Sequence, residues 1–198
     1  MIEHFFSPFL YRGVVKEQEN MKKELLPYFE GKYEDNPNNQ PSDWLCKVHT
    51  SYEKFDQNLG KYTKNYKENL DEFLIELGFP MANIEIVGPW FNMYKKDQWQ
   101  EVHHHSSMGY YFSAVHFLKY NPEKDSPLVF ANLNRLLVAP YWLGRQTKSS
   151  FYDEKLPLNA KEGEIVIFPS LIEHEVPVQK TDNPRITISF NIKITPIK

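Results

Sequence analysis

Two imidazoles two positions apart, His103 and His105, stand in a run from Gln100 that alternates like a β-strand. Successive strand side chains point to opposite faces, so positions i and i+2 share a face and lie close enough to hold one ion. A third histidine, His174, follows a strand-like run ending in Phe168-Pro169-Ser170, and eleven positions beyond it Arg185 opens another, RITISFNIK. Neutral imidazole nitrogen ligates borderline and hard divalent metals, and three protein ligands on one octahedral face leave three positions for other groups. His103, His105 and His174 are therefore candidate metal ligands. A hydrogen-bonded pair of strand histidines with a surface arginine is the alternative that these residues alone leave open.

Positioning such groups requires strands, and from Ile84 onwards the apolar pattern has period 2. Strands are predicted at Ile84–Tyr94, Glu101–His105, Tyr110–Tyr120, Leu128–Asn132, Leu136–Trp142, Glu164–Phe168, Glu175–Val178 and Ile186–Ile194. Eight short strands with turn signals between them predict a sandwich or a barrel-like jelly roll. In the last strand Arg185, Thr187, Ser189 and Asn191 alternate with Ile186, Ile188, Phe190 and Ile192. One face is polar throughout, and an arginine beside a candidate metal histidine suggests that this face lines a barrel lumen. Trp90, Asn92 and Tyr94 share a face by the same reasoning.

The first 83 residues read differently. An apolar extended segment over residues 1–15, broken by Pro8, suits a sheet edge. Lys16 to Phe29 is rich in good helix formers, with Leu25, Leu26 and Phe29 on its buried side, and Gly31 to Ser42 should end it in a loop. Trp44 to Tyr52 alternates well enough for a short strand. Asn58 to Leu77 places Tyr66, Leu70, Phe73, Leu74 and Leu77 on one helical face, and Gly78 with Pro80 stops it. These helices are expected to cover one outer sheet face.

At 198 residues, 41% hydrophobic and 15% aromatic, the chain suits one core and one domain over 1–198, with a mostly helical support over 1–83 and a β core over 84–198. A formal charge of −3 gives no blanket attraction to nucleic acid, and Lys22-Lys23 and Lys61 to Lys67 read as solvated faces. The single cysteine, Cys46, excludes an intramolecular disulfide and reads as an inert small hydrophobe. No apolar run approaches the ~20 residues of a membrane helix. The amino-terminal residues lack a signal-peptide pattern, so a cytoplasmic location is expected, that of the host if the chain is phage-encoded. His116, within FSAVHFLKY, reads as a satisfied core histidine.

Four motifs occur in order: W-F-N-x-Y from Trp90, Q-E-x-H-x-H from Gln100, G-E-x-x-x-F-P-S-x-x-x-H-x-V from Gly163 and R-I-T-I-S-F-N from Arg185. By these residues the sequence resembles the iron(II)- and 2-oxoglutarate-dependent oxygenases, within them a phage and bacterial family of prolyl-hydroxylase-like kind. The resemblance implies a mainly β (α+β) fold, a double-stranded β-helix (jelly roll, cupin-like) with N-terminal helices packed on one sheet. It implies Fe(II), the cosubstrate 2-oxoglutarate and O2, a metal held by His103, His105 and His174, and hydroxylation of a substrate, with a peptide or protein side chain as the substrate guess. It also implies that Arg185 meets the far carboxylate of 2-oxoglutarate. An arginine suits that task because its planar fork binds a carboxylate bidentately and stays ionised when partly buried. Thr187 faces the same way, and Tyr94 or Asn92 matches the place of a tyrosine that related enzymes use.

The superfamily's usual motif is H-x-D followed by a distant His, whereas His105 occupies the Asp position here, leaving a bound metal one charge more positive. Two other readings fit these residues. One is a three-histidine dioxygenase of cupin type that does not use 2-oxoglutarate. The other is a non-catalytic jelly-roll protein in which the histidines hold a structural metal or none.

Overall fold

The computed structural model describes residues 8–37, 39–54, 56–79, 82–105, 109–133 and 153–196. The predicted strand Leu136–Trp142 lies outside the described residues. Strands run in chain order as β1 (Tyr11–Val14), β2 (His49–Thr50), β3 (Ala82–Tyr94), β4 (Gln100–His103), β5 (Phe112–Lys119), β6 (Val129–Ala131), β7 (Lys155–Pro157), β8 (Glu164–Pro169), β9 (His174–Val176) and β10 (Arg185–Pro196). Helices are α1 (Gln18–Asp35), α2 (Gln57–Gly60) and α3 (Lys67–Glu76), with 3-10 turns at Tyr52–Lys54 and Thr63–Tyr66.

The described strands form two antiparallel sheets, one six-stranded in the order β1-β8-β5-β10-β3-β2 and one four-stranded in the order β4-β9-β6-β7. Strands distant in sequence alternate in space, with β8 between β1 and β5 and β10 between β5 and β3. This is the wrapped arrangement of a double-stranded β-helix. β10 is its spine, paired with β3 from Arg185↔Tyr94 to Pro196↔Ala82 and with β5 on its other edge.

The two faces of β10 have opposite tasks. Ile186, Ile188, Phe190 and Ile192 enter an apolar cluster with Met21, Leu25 and Phe29 of α1, Phe73 of α3, Phe91, Ile165 and Ile167. Met21, Leu25 and Phe29 recur every four residues, which keeps them on one helical face, and Phe29 stacks on Phe91 at 4.2 Å. The helices thus cover one face of the larger sheet. Tyr94, Val115, Phe117, Val166 and Phe168 point the other way, into a second cluster with Leu128, Phe130 and Val176 between the sheets. Within this layer lies the polar lumen.

Local differences from the sequence expectations have identifiable causes. α1 does not stop at Gly31 but runs to Asp35. The roughly 1 kcal/mol cost of a helical glycine is offset by Tyr33, which meets His49 edge-on at 5.3 Å and carries Lys95 over its ring at 4.0 Å. The predicted helix over Asn58–Leu77 is broken into α2, a 3-10 turn and α3. Gly60 interrupts it, its carbonyl accepting from Thr63 Oγ1 at 2.8 Å. α3 ends in a Schellman motif, with Phe79 N donating to Leu74 O at 2.8 Å and Gly78 N to Ile75 O at 3.0 Å. Gly78, at φ 79°, adopts the left-handed backbone that this ending requires. Among the described residues no helix is long and apolar enough to cross a membrane.

Candidate functional site

β4 and β9 carry two of the three histidines opposite one another, His103 paired with His174. A bulge separates this pair from Gln100↔Val176, two residues between them on β4 facing one on β9. The extra residue lets both Gln100 and His103 line the lumen, whereas strict alternation would put them on opposite faces. The strand predicted over Glu101–His105 ends at His103 in β4, so His105 stands beyond the observed strand, its N–H donating to Ser170 O at 2.9 Å. The ligand nitrogens of His103, His105 and His174 lie within 4.8 Å of one another. Ring centroids are 5.2 Å apart for His103 and His105, 4.3 Å for His103 and His174, and 5.1 Å for His105 and His174. His104 is exposed at the edge of the same cavity.

Each ring is oriented through its Nδ1. His103 Nδ1 lies 2.8 Å from Glu101 O, and His174 Nδ1 lies 2.9 Å from Ile172 O. A carbonyl only accepts, so both rings carry the proton on Nδ1 and keep Nε2 free. His105 Nδ1 lies 2.8 Å from Asn191 Oδ1 and 2.9 Å from Ser113 Oγ. Ser113 Oγ also donates to Asn191 Oδ1 at 3.0 Å and lies 2.9 Å from Ser170 Oγ. Burial holds all three imidazoles below their ordinary pKa, His105 at about 4, and their mutual proximity adds to the shift in His105 and His174. They are neutral donors at pH 7. Three convergent free nitrogens with engaged Nδ1 atoms form a donor set that suits a divalent transition metal.

Arg185 is 1% exposed at the start of β10. Its Nε donates to Ser126 O at 3.0 Å, and its guanidinium carbon sits 5.0 Å from the Tyr94 ring, 5.6 Å from Phe117 and 5.7 Å from Tyr120. Nη1 is buried without a hydrogen-bond partner. Burial lowers its pKa, opposed by Tyr94, Tyr120 and Asp125. Such a buried donor carries a desolvation cost that an incoming acceptor would relieve. Thr187, Asn92 and Tyr94 line the same cavity as Arg185 and the histidines. Asn92 Oδ1 has no partner either, while Tyr94 OH donates to Gln100 Oε1 at 2.5 Å.

The sequence of the chain matches the family profile described as 2OG-Fe(II) oxygenase over residues 88–191, 104 of its 198 residues. The chain belongs to the 2OG-Fe(II) oxygenase family. The match contains all three histidines and Arg185. No curated protein matches the sequence. Among solved structures, this oxygenase is similar to a prolyl-4-hydroxylase from Pseudomonas putida, with TM-score 0.59 and 12% identity over 94% of this chain and 93% of that one. It is also similar to the viral collagen prolyl hydroxylase of Paramecium Bursaria Chlorella virus-1, with TM-score 0.54 and 11% identity over 96% and 97%. AviO1 from Streptomyces viridochromogenes gives TM-score 0.60 and 12% identity over 93% and 89%. At these identities the likenesses concern the fold, and they bear out the double-stranded β-helix for this oxygenase.

Several residues at the site had no role assigned to them from the sequence. Gln100 meets Tyr94, Ser126 holds Arg185, and Ser113 with Asn191 holds His105. Asn191 was legible as a member of a polar strand face and of the motif that opens at Arg185, but not as a partner of His105, and Ser126 meets Arg185 through a main-chain carbonyl that no side-chain pattern reveals. Gln179 is another: it accepts from Ser126 N at 2.8 Å and donates to Asp125 Oδ1 at 2.6 Å, bracing the turn that holds Arg185. His116 is a core residue, with Nδ1 3.1 Å from Tyr66 OH and Nε2 2.8 Å from Gln18 Oε1. Cys46 is buried and its thiol is pushed up by burial, as an inert residue should be.

Proposed function

We propose that His103, His105 and His174 hold the Fe(II) of this oxygenase and that Arg185 anchors 2-oxoglutarate, for hydroxylation of a peptide or protein side chain. The unpartnered Nη1 of Arg185, buried in the same cavity as the three histidines, is the observation that carries this reading. A three-histidine site that did without 2-oxoglutarate would leave that donor unexplained.

Iron, when bound, couples decarboxylation of 2-oxoglutarate to succinate and carbon dioxide with insertion of one oxygen atom of O2 into a substrate C–H bond. The residues of the chain do the rest. The histidines offer Nε2 in neutral form without losing a proton. Arg185 offers Nη1 to the far carboxylate, with its orientation set by Ser126 O and the rings of Tyr94, Phe117 and Tyr120. Thr187 adds a hydroxyl on the same strand face, and Asn92 adds an amide from the neighbouring strand, paired with Thr187 in the β3–β10 register. Tyr94 contributes its hydroxyl if the proton now given to Gln100 turns towards the cosubstrate. Residues 1–83 support the β core of 84–198 within one domain, consistent with the cluster that α1 and α3 share with β10.

The test is the visible spectrum of protein prepared without air, with Fe(II) alone and with Fe(II) and 2-oxoglutarate. A weak visible band that needs both additions, and that is lost in Arg185→Ala and His174→Ala, is expected. Metal retained with no such band would exclude the cosubstrate site.

A further inference from the structure

The mouth of the cavity differs from its polar floor. A run of rings leads away from His105: Trp90 lies 5.7 Å from it, Tyr52 meets Trp90 edge-on at 5.1 Å, and Trp44 lies 5.3 Å from Tyr52. Tyr110 belongs to the same lining. Backbone pairing sets this wall against β4. Lys47 N donates to Trp99 O at 3.2 Å and Trp99 N to Lys47 O at 2.7 Å, so the segment bearing Trp44 and Cys46 runs antiparallel beside Gln100 and Glu101.

Glu101 lines this cavity, and its Oε2 is buried with no hydrogen-bond partner. It is the single carboxylate among the described lining residues. Its neighbours are the His103 ring and the Cys46 thiol, which burial and, more weakly, this carboxylate push up. A thiol is a weak donor, so the acceptor is left without a strong one, at the desolvation cost of any buried unpaired oxygen. Aromatic faces attract cations, and a carboxylate beside them supplies the opposite charge. A neutral side chain such as proline has no N–H donor to give Oε2.

We propose that the aromatic mouth formed by Trp44, Tyr52 and Trp90, together with Glu101, binds a cationic group of the substrate, an ammonium or guanidinium. The substrate class is then a peptide or small molecule whose oxidised carbon lies near a positive charge. This assignment rests on the oxygenase reading above, which requires the oxidised carbon to reach the histidine cluster.

The experiment is calorimetric titration of the anaerobic Fe(II)- and 2-oxoglutarate-loaded protein with N-acetyl-lysinamide, N-acetyl-argininamide and the uncharged N-acetyl-norleucinamide and N-acetyl-prolinamide, with the visible band recorded in parallel. At least one cationic probe should bind about tenfold more tightly than the neutral ones. In Glu101→Gln, which keeps the main-chain carbonyl that orients His103, that preference should collapse. Equal binding of charged and neutral probes, or a preference that survives Glu101→Gln, overturns the assignment. A missing band in the unmodified protein overturns the oxygenase reading instead, and a cation preference measured in that same protein still supports the mouth as a cation site.

Discussion

His105 Nδ1 and Asn191 Oδ1 lie 2.8 Å apart, joining the histidine beyond β4 to the polar face of β10. The other two histidines are held by backbone carbonyls two residues before them, a contact that the local chain supplies by itself. His105 instead depends on a side chain 86 positions away. A carboxamide orients the ring without adding charge, so the set of three imidazoles stays neutral. Replacing Asn191 by leucine should weaken metal binding by roughly 10- to 100-fold, the usual effect of losing a partner behind a ligand. Asn191→Asp should strengthen it, because a carboxylate behind the imidazole returns a negative charge close to the metal. Competition with a calibrated chelator measures both.

Arg185 is a buried cation with an unmet donor, a stability cost that the proposed binding of 2-oxoglutarate would relieve. Arg185→Met fills similar volume without charge and should leave the melting temperature of the unliganded protein unchanged or higher. It should abolish the rise in melting temperature that 2-oxoglutarate gives the Fe(II)-loaded protein. Arg185→Lys keeps the charge and loses the fork, and should weaken 2-oxoglutarate by about 10- to 100-fold. Thermal scans at several cosubstrate concentrations read all of these.

The three histidines have folded-state pKa values below the ordinary one, with His105 at about 4. The folded metal-free protein therefore binds fewer protons than the unfolded chain in the window between about pH 6.5 and the lowered folded values. Their contribution to stability is complete above that pH and is lost as pH falls through the window down towards the folded values. At pH 7 the three imidazoles are largely deprotonated already, so metal binding there should release well under one proton per site. Calorimetry in buffers of different ionisation enthalpy tests this, and release approaching one proton would contradict it.

His116 sits in the helix-facing layer, satisfied by Tyr66 and Gln18, and burial holds its pKa at about 3. Tyr66→Phe removes the partner of Nδ1 and should cost about 1 to 3 kcal/mol in urea unfolding. Metal and 2-oxoglutarate affinities should not change. A matching loss of metal affinity would show that the two sides of the sheet are coupled.

Much of the site was legible because its parts are local. The alternation of β10 is a short-range pattern that a strand's period of two turns directly into faces, and the close spacing of His103 and His105 marked them as a pair although His105 lies beyond β4. The split of β10 into an apolar helix-facing side and a polar lumen was readable for the same reason. Less legible were the ends and breaks of elements. α1 continues past Gly31 because Tyr33 finds tertiary partners, and no local propensity contains that information.

By itself, the sequence determined a β-rich sandwich or jelly roll through its periodicity, and it singled out the three histidines and the arginine through the motifs that carry the family resemblance. Tertiary structure alone decided that Asn191 and Ser113 hold His105, that Ser126 O holds Arg185, and that Glu101 and Trp44 share a cavity mouth. The physical reason is chain distance. Those partners are joined by strand register and by the bulge in β4, which moves Gln100 into the lumen, and register is set by packing of the whole sheet rather than by any short stretch of residues.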